Sequence, residues 1–294
     1  MNNTNKIFLL LCFFFLFGCN DDIIDNNSKE GFWMKINNKT IANSEIEYYD
    51  FSTHTIYFKN CHSFFDDSDR GSFSIFIDDE EIYKGTIHPF NLSSLPTGLY
   101  ISPTFSVKPQ YTLSIECTKM LNAEKNEDPR NDTRIVNSLK AQGKYHAGLQ
   151  FKISEINFLS DNQVSIDFQL SNPDSFDYLH LDPNKMGLGL FHYYTNGLVF
   201  FDNYTIQRYE PKLSVIKPEP YDKWEKKWMS VIQSGESKSF TIKYDFSNPV
   251  QTGKYWVFFH FPGLSSYQID RKELNQKEGR IWLGGIETMI EYTK

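Results

Sequence analysis

The sequence lacks the short motifs that mark the common catalytic and nucleotide-binding sites. It contains no HExxH metalloprotease motif, no GxSxG nucleophile turn, no Walker loop and no CxxC pair. The segment GLGLF at 187–191 has two suitably spaced glycines but neither a third glycine nor a following helical pattern. The residue pattern therefore predicts a protein that is not an enzyme, with no catalytic residues and no cofactor.

The sequence also lacks a clear metal-binding pattern. Its seven histidines are scattered. His180 and Asp182 are too few to hold a structural metal, so a solvent-facing pair is the favoured interpretation. Asp67, Asp69 and Gly71 approach a calcium loop, but no Glu follows at the twelfth position, so a solvated turn is the favoured interpretation. We therefore predict no metal site.

Positive charge is in deficit, and long apolar runs are missing. The chain has 30 Lys and Arg against 37 Asp and Glu, a net charge of −7. A nucleic-acid-binding face needs clustered basic residues, so no nucleic-acid partner is expected. The uncharged run from Ile7 to Phe17 is too short for a spanning helix, which needs about 20 residues. Because this run follows Lys6 and leads into the small residues Gly18 and Cys19, it predicts a secretory signal peptide at 1–18.

The signal peptide ends in a distinctive way. The segment LFGC at 16–19 resembles the lipobox of bacterial lipoproteins, although Phe17 is bulkier than the usual occupant. The resemblance implies that Cys19 is lipidated, with acyl chains such as palmitate, and becomes the first residue of the mature chain. Each buried methylene of such a chain contributes about 0.8 kcal/mol to membrane binding. The alternative is a plain secretory signal in which Cys19 is incidental.

A polar segment follows the cysteine. Residues 19–30 have almost nothing to bury and are expected to form a solvated tether. Asp21 and Asp22 resemble the surface-export signal of Bacteroidetes lipoproteins. That resemblance implies a lipid-anchored protein of the bacterial outer membrane that faces the cell exterior, with the membrane as one partner.

Cysteine is scarce, with four in the chain. Cys12 belongs to the predicted leader and Cys19 to the predicted anchor, which leaves Cys61 and Cys117. In an oxidising compartment these two could form a disulfide, which typically stabilises by about 2–4 kcal/mol. Two buried free thiols are the alternative.

Aromatic residues are abundant, with 26 Phe and 17 Tyr, and they favour strands. Segments such as QVSIDFQLS and KSFTIKYDF alternate in hydrophobicity, and none of the strand-like segments has a helical period. The charged stretch 120–144 reads as a polar linker with one helical turn at 135–141. We therefore predict an all-β protein with an N-terminal β-sandwich domain at 31–119 and a C-terminal one at 145–294.

One short repeated motif supports the prediction of two similar domains. LPTGLY at 95–100 and VQTGKY at 250–255 share Thr-Gly-x-Tyr, and each opens an apolar strand near the end of its domain. Tyr100 and Tyr255 resemble the tyrosine corners of immunoglobulin-like sandwiches, in which the hydroxyl bonds to upstream backbone. The resemblance implies two immunoglobulin-like domains.

Two segments are candidates for ligand binding. The proline-rich stretch 209–230 carries Tyr221, Trp224 and Trp228, and in a helical turn the two tryptophans would share a face. Exposed, they would form a stacking platform for a glycan or another surface protein. The alternative interpretation, which we favour, is that at least one Trp is buried in the sandwich.

The second segment is the long connection at 262–280, which carries Tyr267, Arg271, Lys272 and Arg280. Structureless connections of this length are usually functional or disordered. A surface loop or a short helix at 271–276 is the alternative. We expect this connection and the 221–228 segment to flank one shared surface.

Three functions remain open. The first is a non-catalytic surface lipoprotein with a binding or structural role. The second is a glycan-binding accessory lipoprotein that uses exposed Tyr and Trp side chains. The third is a hydrolase with an unrecognised pair of carboxylates, which would lie about 5–9 Å apart in a cleft.

Overall fold

The computed structural model describes residues 30–62, 70–89, 94–102, 110–118, 128–202, 204 and 207–294. Cys19, the signal peptide and the Asp67–Asp69 turn lie outside the described residues. Strands account for about 49% of the described residues and helices for 12%, which confirms the all-β prediction. Within these ranges, no helix is both long and apolar enough to cross a bilayer.

Two sheets are formed by the N-terminal part of the chain. Sheet A has the strand order β2-β1-β5-β6-β7-β9 and sheet B the order β10-β3-β4-β8. Sheet A consists of β1 (Phe32–Ile36), β2 (Lys39–Ile41), β5 (Gly71–Ile77), β6 (Glu80–Ile87), β7 (Leu99–Ile101) and β9 (Glu116–Cys117). Sheet B consists of β3 (Ile46–Asp50), β4 (Thr55–His62), β8 (Gln110–Ser114) and β10 (Tyr145–His146).

Three further sheets follow. Their strand orders are β11-β12-β17 in sheet C, β16-β13-β20-β19 in sheet D and β15-β14-β18-β21 in sheet E. Sheet C consists of β11 (Gln150–Ser160), β12 (Gln163–Ser171) and β17 (Ser237–Asp245). Sheet D consists of β13 (Tyr178–Leu181), β16 (Met229–Ile232), β19 (Asn275–Gln276) and β20 (Gly279–Ile281). Sheet E consists of β14 (Val199–Asp202), β15 (Arg208–Tyr209), β18 (Lys254–Phe261) and β21 (Ile286–Thr293).

Strand alternation explains which residues are buried. In β17 the side chains of Phe240, Ile242 and Tyr244 are buried, while the residues between them are exposed. This is the period of two that a half-buried strand requires. In β13 all four residues are buried, because both faces of sheet D pack against other parts of the molecule.

Three apolar cores hold the sheets together. The first core lies between sheets A and B, and the second between sheets C and E. The third core joins the outer face of sheet B to sheet D, through residues such as Tyr48, Tyr57, Leu179 and Ile281. Neighbouring residues on one strand serve different cores, since Tyr49 enters the first core and Tyr48 the third.

The predicted pair of immunoglobulin-like domains is not the arrangement found. The described residues form five sheets, and their arrangement resembles a five-bladed, propeller-like ring rather than two immunoglobulin-like domains. The chain crosses repeatedly between sheets A and B, which differs from the blade-by-blade course of ordinary propellers. The third core is the physical reason for the correction, because it packs sheet D onto sheet B.

The stretch predicted as a polar linker contains ordered structure in its described part. A 3-10 helix, Pro129–Asn131, leads into the helix α1, Thr133–Ala141, which is longer than the predicted turn. The Asp132 side chain accepts a hydrogen bond from the Arg134 backbone N–H and so caps this helix. Ile135 and Leu139 are fully buried in the first core. Two shorter helices follow, α2 (Pro183–Met186) and α3 (Leu188–Phe191).

One of the two predicted tyrosine corners is confirmed. Tyr255 is buried, and its hydroxyl donates to the Gln251 carbonyl at 2.7 Å, four residues upstream. The prediction for Tyr100 is wrong, because its hydroxyl donates to the Glu116 carboxylate on the neighbouring strand β9. The repeated Thr-Gly-x-Tyr motif therefore does not place Tyr100 and Tyr255 in equivalent structural positions.

No disulfide joins Cys61 and Cys117 among the described residues. Cys61 lies on β4 in sheet B, and Cys117 lies on β9 in sheet A. The alternative of two buried thiols is also wrong, since Cys61 is exposed and Cys117 half-buried.

Candidate functional site

The 221–228 segment exposes a tyrosine and buries a tryptophan. Tyr221 is 70% exposed, Trp224 is half-buried, and Trp228 is buried in the third core. A 3-10 helix, Lys226–Trp228, replaces the helical turn that would have aligned both tryptophans. The expectation that at least one Trp is buried is confirmed, and the platform of two exposed tryptophans is wrong.

The connection at 262–280 is ordered rather than structureless. It contains a 3-10 helix, Arg271–Glu273, and the strands β19 and β20. Ile269 and Leu274 are fully buried in the third core and anchor the connection from within. Tyr267 remains 57% exposed beside these anchors.

Sheet B holds this connection in place. The Tyr111 hydroxyl donates to the Ile269 carbonyl at 2.7 Å. The Arg271 guanidinium donates to the Glu47 carboxylate at 2.6 Å and to the Lys59 carbonyl at 2.9 Å. Arg271, predicted as a possible ligand contact, therefore has a structural role in this arrangement.

The two candidate segments meet, as expected from the sequence. Lys226 Nζ lies 2.5 Å from Glu278 Oε2 and links one segment to the other. Trp228 and Leu274 also belong to the same apolar core. The exposed Tyr221 and Tyr267 are thus carried by adjoining parts of the molecule.

Two tyrosines that the sequence reasoning missed lie between them. Tyr193 and Tyr194 follow α3, with ring centroids 5.1 Å apart and perpendicular planes. Their hydroxyls donate to the carbonyls of Tyr221 at 3.5 Å and Lys223 at 3.4 Å. We call Tyr193, Tyr194, Tyr221 and Tyr267 the tyrosine surface. The signal for the missed pair was the doublet in HYYTNG at 192–197.

Electrostatic effects tie Tyr194 to the same group. Burial raises the pKa of Tyr194 to about 12, while a hydrogen bond with the Gln268 side chain lowers it and the nearby Tyr193 and Tyr267 raise it. Gln268 itself accepts hydrogen bonds from the backbone N–H and hydroxyl of Ser265. Gln268 therefore bonds both to Ser265 within the loop that carries Tyr267 and to Tyr194 outside it.

The lysines beside the tyrosine surface are paired with acids. Lys223 and Lys227 contact the Glu225 carboxylate at 2.8 and 2.5 Å. Hydrogen bonds from these two lysines lower the pKa of Glu225, and the bond from Lys226 lowers that of Glu278. The surface consequently combines aromatic rings with three lysines that each contact a carboxylate.

A second cluster, buried where sheet B meets residues 146–178, is rich in titratable groups. The Asp174 carboxylate lies 2.8 Å from His146 Nδ1 and accepts bonds from the Tyr178 hydroxyl at 2.8 Å and the Gly148 N–H at 3.1 Å. Burial alone would raise the pKa of Asp174, but the bonds from His146 and Gly148 lower it to about 2.

Asp50 faces the same cluster with the opposite shift. Burial raises its pKa to about 6, although hydrogen bonds from the Ser52 hydroxyl and N–H lower it. Gly148 allows the close approach, since it adopts a φ of +66° and a Cβ there would lie 2.2 Å from Asp50 Oδ1. Carboxylates with opposed pKa shifts are typical of acid–base pairs. Asp50 and Asp174 are, however, 1% and 6% exposed, so a substrate does not reach them in this arrangement.

Arg280 of sheet D packs against sheet B beside this cluster. Its guanidinium carbon lies 4.1 Å from the Tyr48 ring centroid, and it donates to the Glu47 carboxylate at 2.9 Å. The Tyr48 and Tyr57 rings stack at 4.1 Å, and the His146 and Phe176 rings at 3.9 Å. The stack joins sheet B to sheet D and gives this cluster a structural role.

The His180 and Asp182 pair serves the fold. Both residues are buried, which corrects the expectation of a solvent-facing pair. The Asp182 side chain accepts from the Asn184 N–H at 2.9 Å and caps α2. Across the described ranges, no group of three or more His, Cys, Asp or Glu side chains could hold a metal ion.

Comparisons with known proteins add little. No protein-family model matches the chain, and no curated protein matches it. A solved beta-glucosidase from Kluyveromyces marxianus, in complex with glucose, is similar over 49% of this chain and 14% of its own, with 13% identity and a TM-score of 0.21. Similarity this low carries no argument about fold or activity.

Proposed function

We propose that this chain is a lipid-anchored lipoprotein of the outer cell surface that binds a ligand without catalysis, through the tyrosine surface. The observation that carries the proposal is the exposure of Tyr221 and Tyr267 on adjoining, ordered segments. Exposed tyrosines on a rigid support offer contact area at low cost in conformational entropy.

The way in which these rings are held supports a binding role. Tyr267 lies between Ser265, which hydrogen-bonds to Gln268, and Ile269, which is fully buried. Tyr221 lies close to Tyr193, because the Tyr193 hydroxyl donates a hydrogen bond to the Tyr221 carbonyl. Binding residues on loops fixed by a scaffold are a common arrangement.

The anchor part of the proposal rests on sequence features. The lipobox-like LFGC at 16–19, the two acids that follow and the polar tether support lipidation at Cys19 and display outside the cell. β1 begins at Phe32, so the tether leads directly into sheet A.

A fractionation experiment tests the anchor. The native protein should sediment with membranes and be cleaved by protease added to intact cells. The Cys19→Ala protein should leave the membrane fraction, because its lipid attachment is lost. A Cys19→Ala protein that still sediments with membranes would refute the anchor.

A pull-down from intact cells tests the binding role. Tyr221→Ala and Tyr267→Ala should each lose a component that the native protein captures. Tyr204→Ala is the matched control, because Tyr204 is 80% exposed and lies on the segment after β14, outside the tyrosine surface. If all four proteins capture the same components, the tyrosine surface is not the binding site.

A further inference from the structure

We infer that the ligand of the tyrosine surface is an uncharged glycan. This inference rests on the proposed function and adds the chemical class of its ligand. Three features of the surface support it. They are the exposed tyrosine rings, the ion pairs beside them and the hydrogen bonds that hold Arg271 to sheet B.

The rings give the surface its affinity for an amphipathic ligand. Tyr221 and Tyr267 are the largely exposed members, and the perpendicular Tyr193–Tyr194 pair lies between them. A tyrosine ring offers an apolar face with a polar hydroxyl at its edge. The faces of a sugar ring present C–H groups and its rim presents hydroxyls, which matches both parts of the side chain.

The charges argue against an acidic ligand. Lys223, Lys226 and Lys227 each contact a carboxylate, two on Glu225 and one on Glu278. These carboxylates compete with an anionic polymer for the lysines and oppose its approach. Polyanion-binding surfaces instead have a clear excess of basic groups.

Arg271 is engaged elsewhere. Its guanidinium donates to the Glu47 carboxylate and to the Lys59 carbonyl, so it holds the connection rather than a ligand. Arg280 shares the same carboxylate and is buried. These two arginines are therefore used within the fold, whereas Lys272 is exposed and lies 3.8 Å from the Asp270 carboxylate.

Gel retardation tests the ligand class directly. The full chain in a non-ionic detergent is run in native gels that contain a neutral β-glucan, xylan, mannan or starch, with pectate as the acidic probe. At least one neutral polysaccharide should retard the native protein and Tyr204→Ala. Tyr221→Ala and Tyr267→Ala should each weaken binding by about tenfold, as for a central interface tyrosine.

Salt separates the two ligand classes. Retardation by a neutral glycan should persist in high salt, because screening weakens only charge–charge attraction. Circular dichroism of each variant serves as the folding control, and exposed positions should leave it unchanged.

Three results would overturn the inference. They are no retardation by any neutral polysaccharide, retardation by pectate alone that salt abolishes, and retardation by neutral polysaccharides that the tyrosine variants leave unaltered. The proposed function fails separately, in the intact-cell pull-down. A pull-down that depends on Tyr221 and Tyr267 without any polysaccharide binding would keep the binding role and point to a protein partner.

Discussion

Asp50 shows how a single buried acid links the fold to pH. It lies at the end of β3, next to Gly148 and facing Asp174, and burial raises its pKa from 3.8 to about 6. The unfolded chain releases this proton near pH 4, while the folded protein keeps it until near pH 6. The stability that Asp50 provides is therefore largest at low pH and falls as the pH rises through this window.

We predict that Asp50→Asn changes this pH dependence. Asn keeps an acceptor for the Ser52 N–H and hydroxyl but carries no charge. The free energy of unfolding of the variant, minus that of the native protein, should therefore rise by about 2 kcal/mol as the pH is raised from 4.5 to 7.5. Urea unfolding at both values measures this gain.

The buried histidines provide an internal check on that measurement. Burial lowers the pKa of His54 and His180 to about 4. As the pH falls below 6.5, these histidines therefore lower the free energy of unfolding of the native protein and of Asp50→Asn by the same amount. These contributions cancel in the difference between the variant and the native protein. A difference that stays constant from pH 4.5 to 7.5 would contradict the account of Asp50.

Tyr255 gives a second test with a matched partner. Tyr255→Phe removes the hydroxyl that bonds to Gln251 and should lower the free energy of unfolding by about 1 kcal/mol. Tyr100→Phe removes a hydroxyl at the surface and should cost less than about 0.5 kcal/mol. Equal losses in chemical denaturation would show that the Tyr255 corner has no special role.

At the scale of elements, the 262–280 connection is fixed by side chains that lie far away in sequence. Glu47 on β3 accepts from both Arg271 and Arg280. The sequence indicates a long polar connection, and the burial of Ile269 and Leu274 within it was not predicted. Its attachment to sheet B could not be predicted, because Glu47 is more than 200 residues away.

We predict that Glu47→Ala loosens this connection much more than Arg271→Ala does. Removing Glu47 leaves the buried Arg280 without its carboxylate, which should cost about 3 kcal/mol. Arg271 is only half-buried, so its loss should cost about 1 kcal/mol or less. Urea unfolding measures both changes, and hydrogen exchange at 265–278 should accelerate in Glu47→Ala. Similar stabilities for the two variants would refute this difference.

At the scale of the whole molecule, the strands could be predicted and their assembly could not. Alternation in QVSIDFQLS and KSFTIKYDF identified β12 and β17, because one face of each strand is buried. The parallel pairing of β13 with β20 joins Tyr178 to Arg280, which no local pattern encodes. The third core follows from such pairings, and with it the departure from two immunoglobulin-like domains.

The tyrosine surface shows the same limit. Tyr221 and Tyr267 were identified as candidates from their segments, and the structure brings those segments together through Lys226 and Glu278. Tyr193 and Tyr194 come from a third segment, after α3. Side chains from three distant segments form one surface only through the fold, so sequence patterns could supply its members but not its extent.

Site-specific photo-crosslinking in intact cells tests the proposed binding surface most directly. A benzophenone-bearing phenylalanine analogue is placed at position 221, 267 or 204 in separate proteins. We predict that positions 221 and 267 yield the same ligand adduct on illumination. Position 204, which is more exposed than either but lies elsewhere, should yield none. Adducts of equal yield from all three positions, or from position 204 alone, would contradict a binding function for the tyrosine surface.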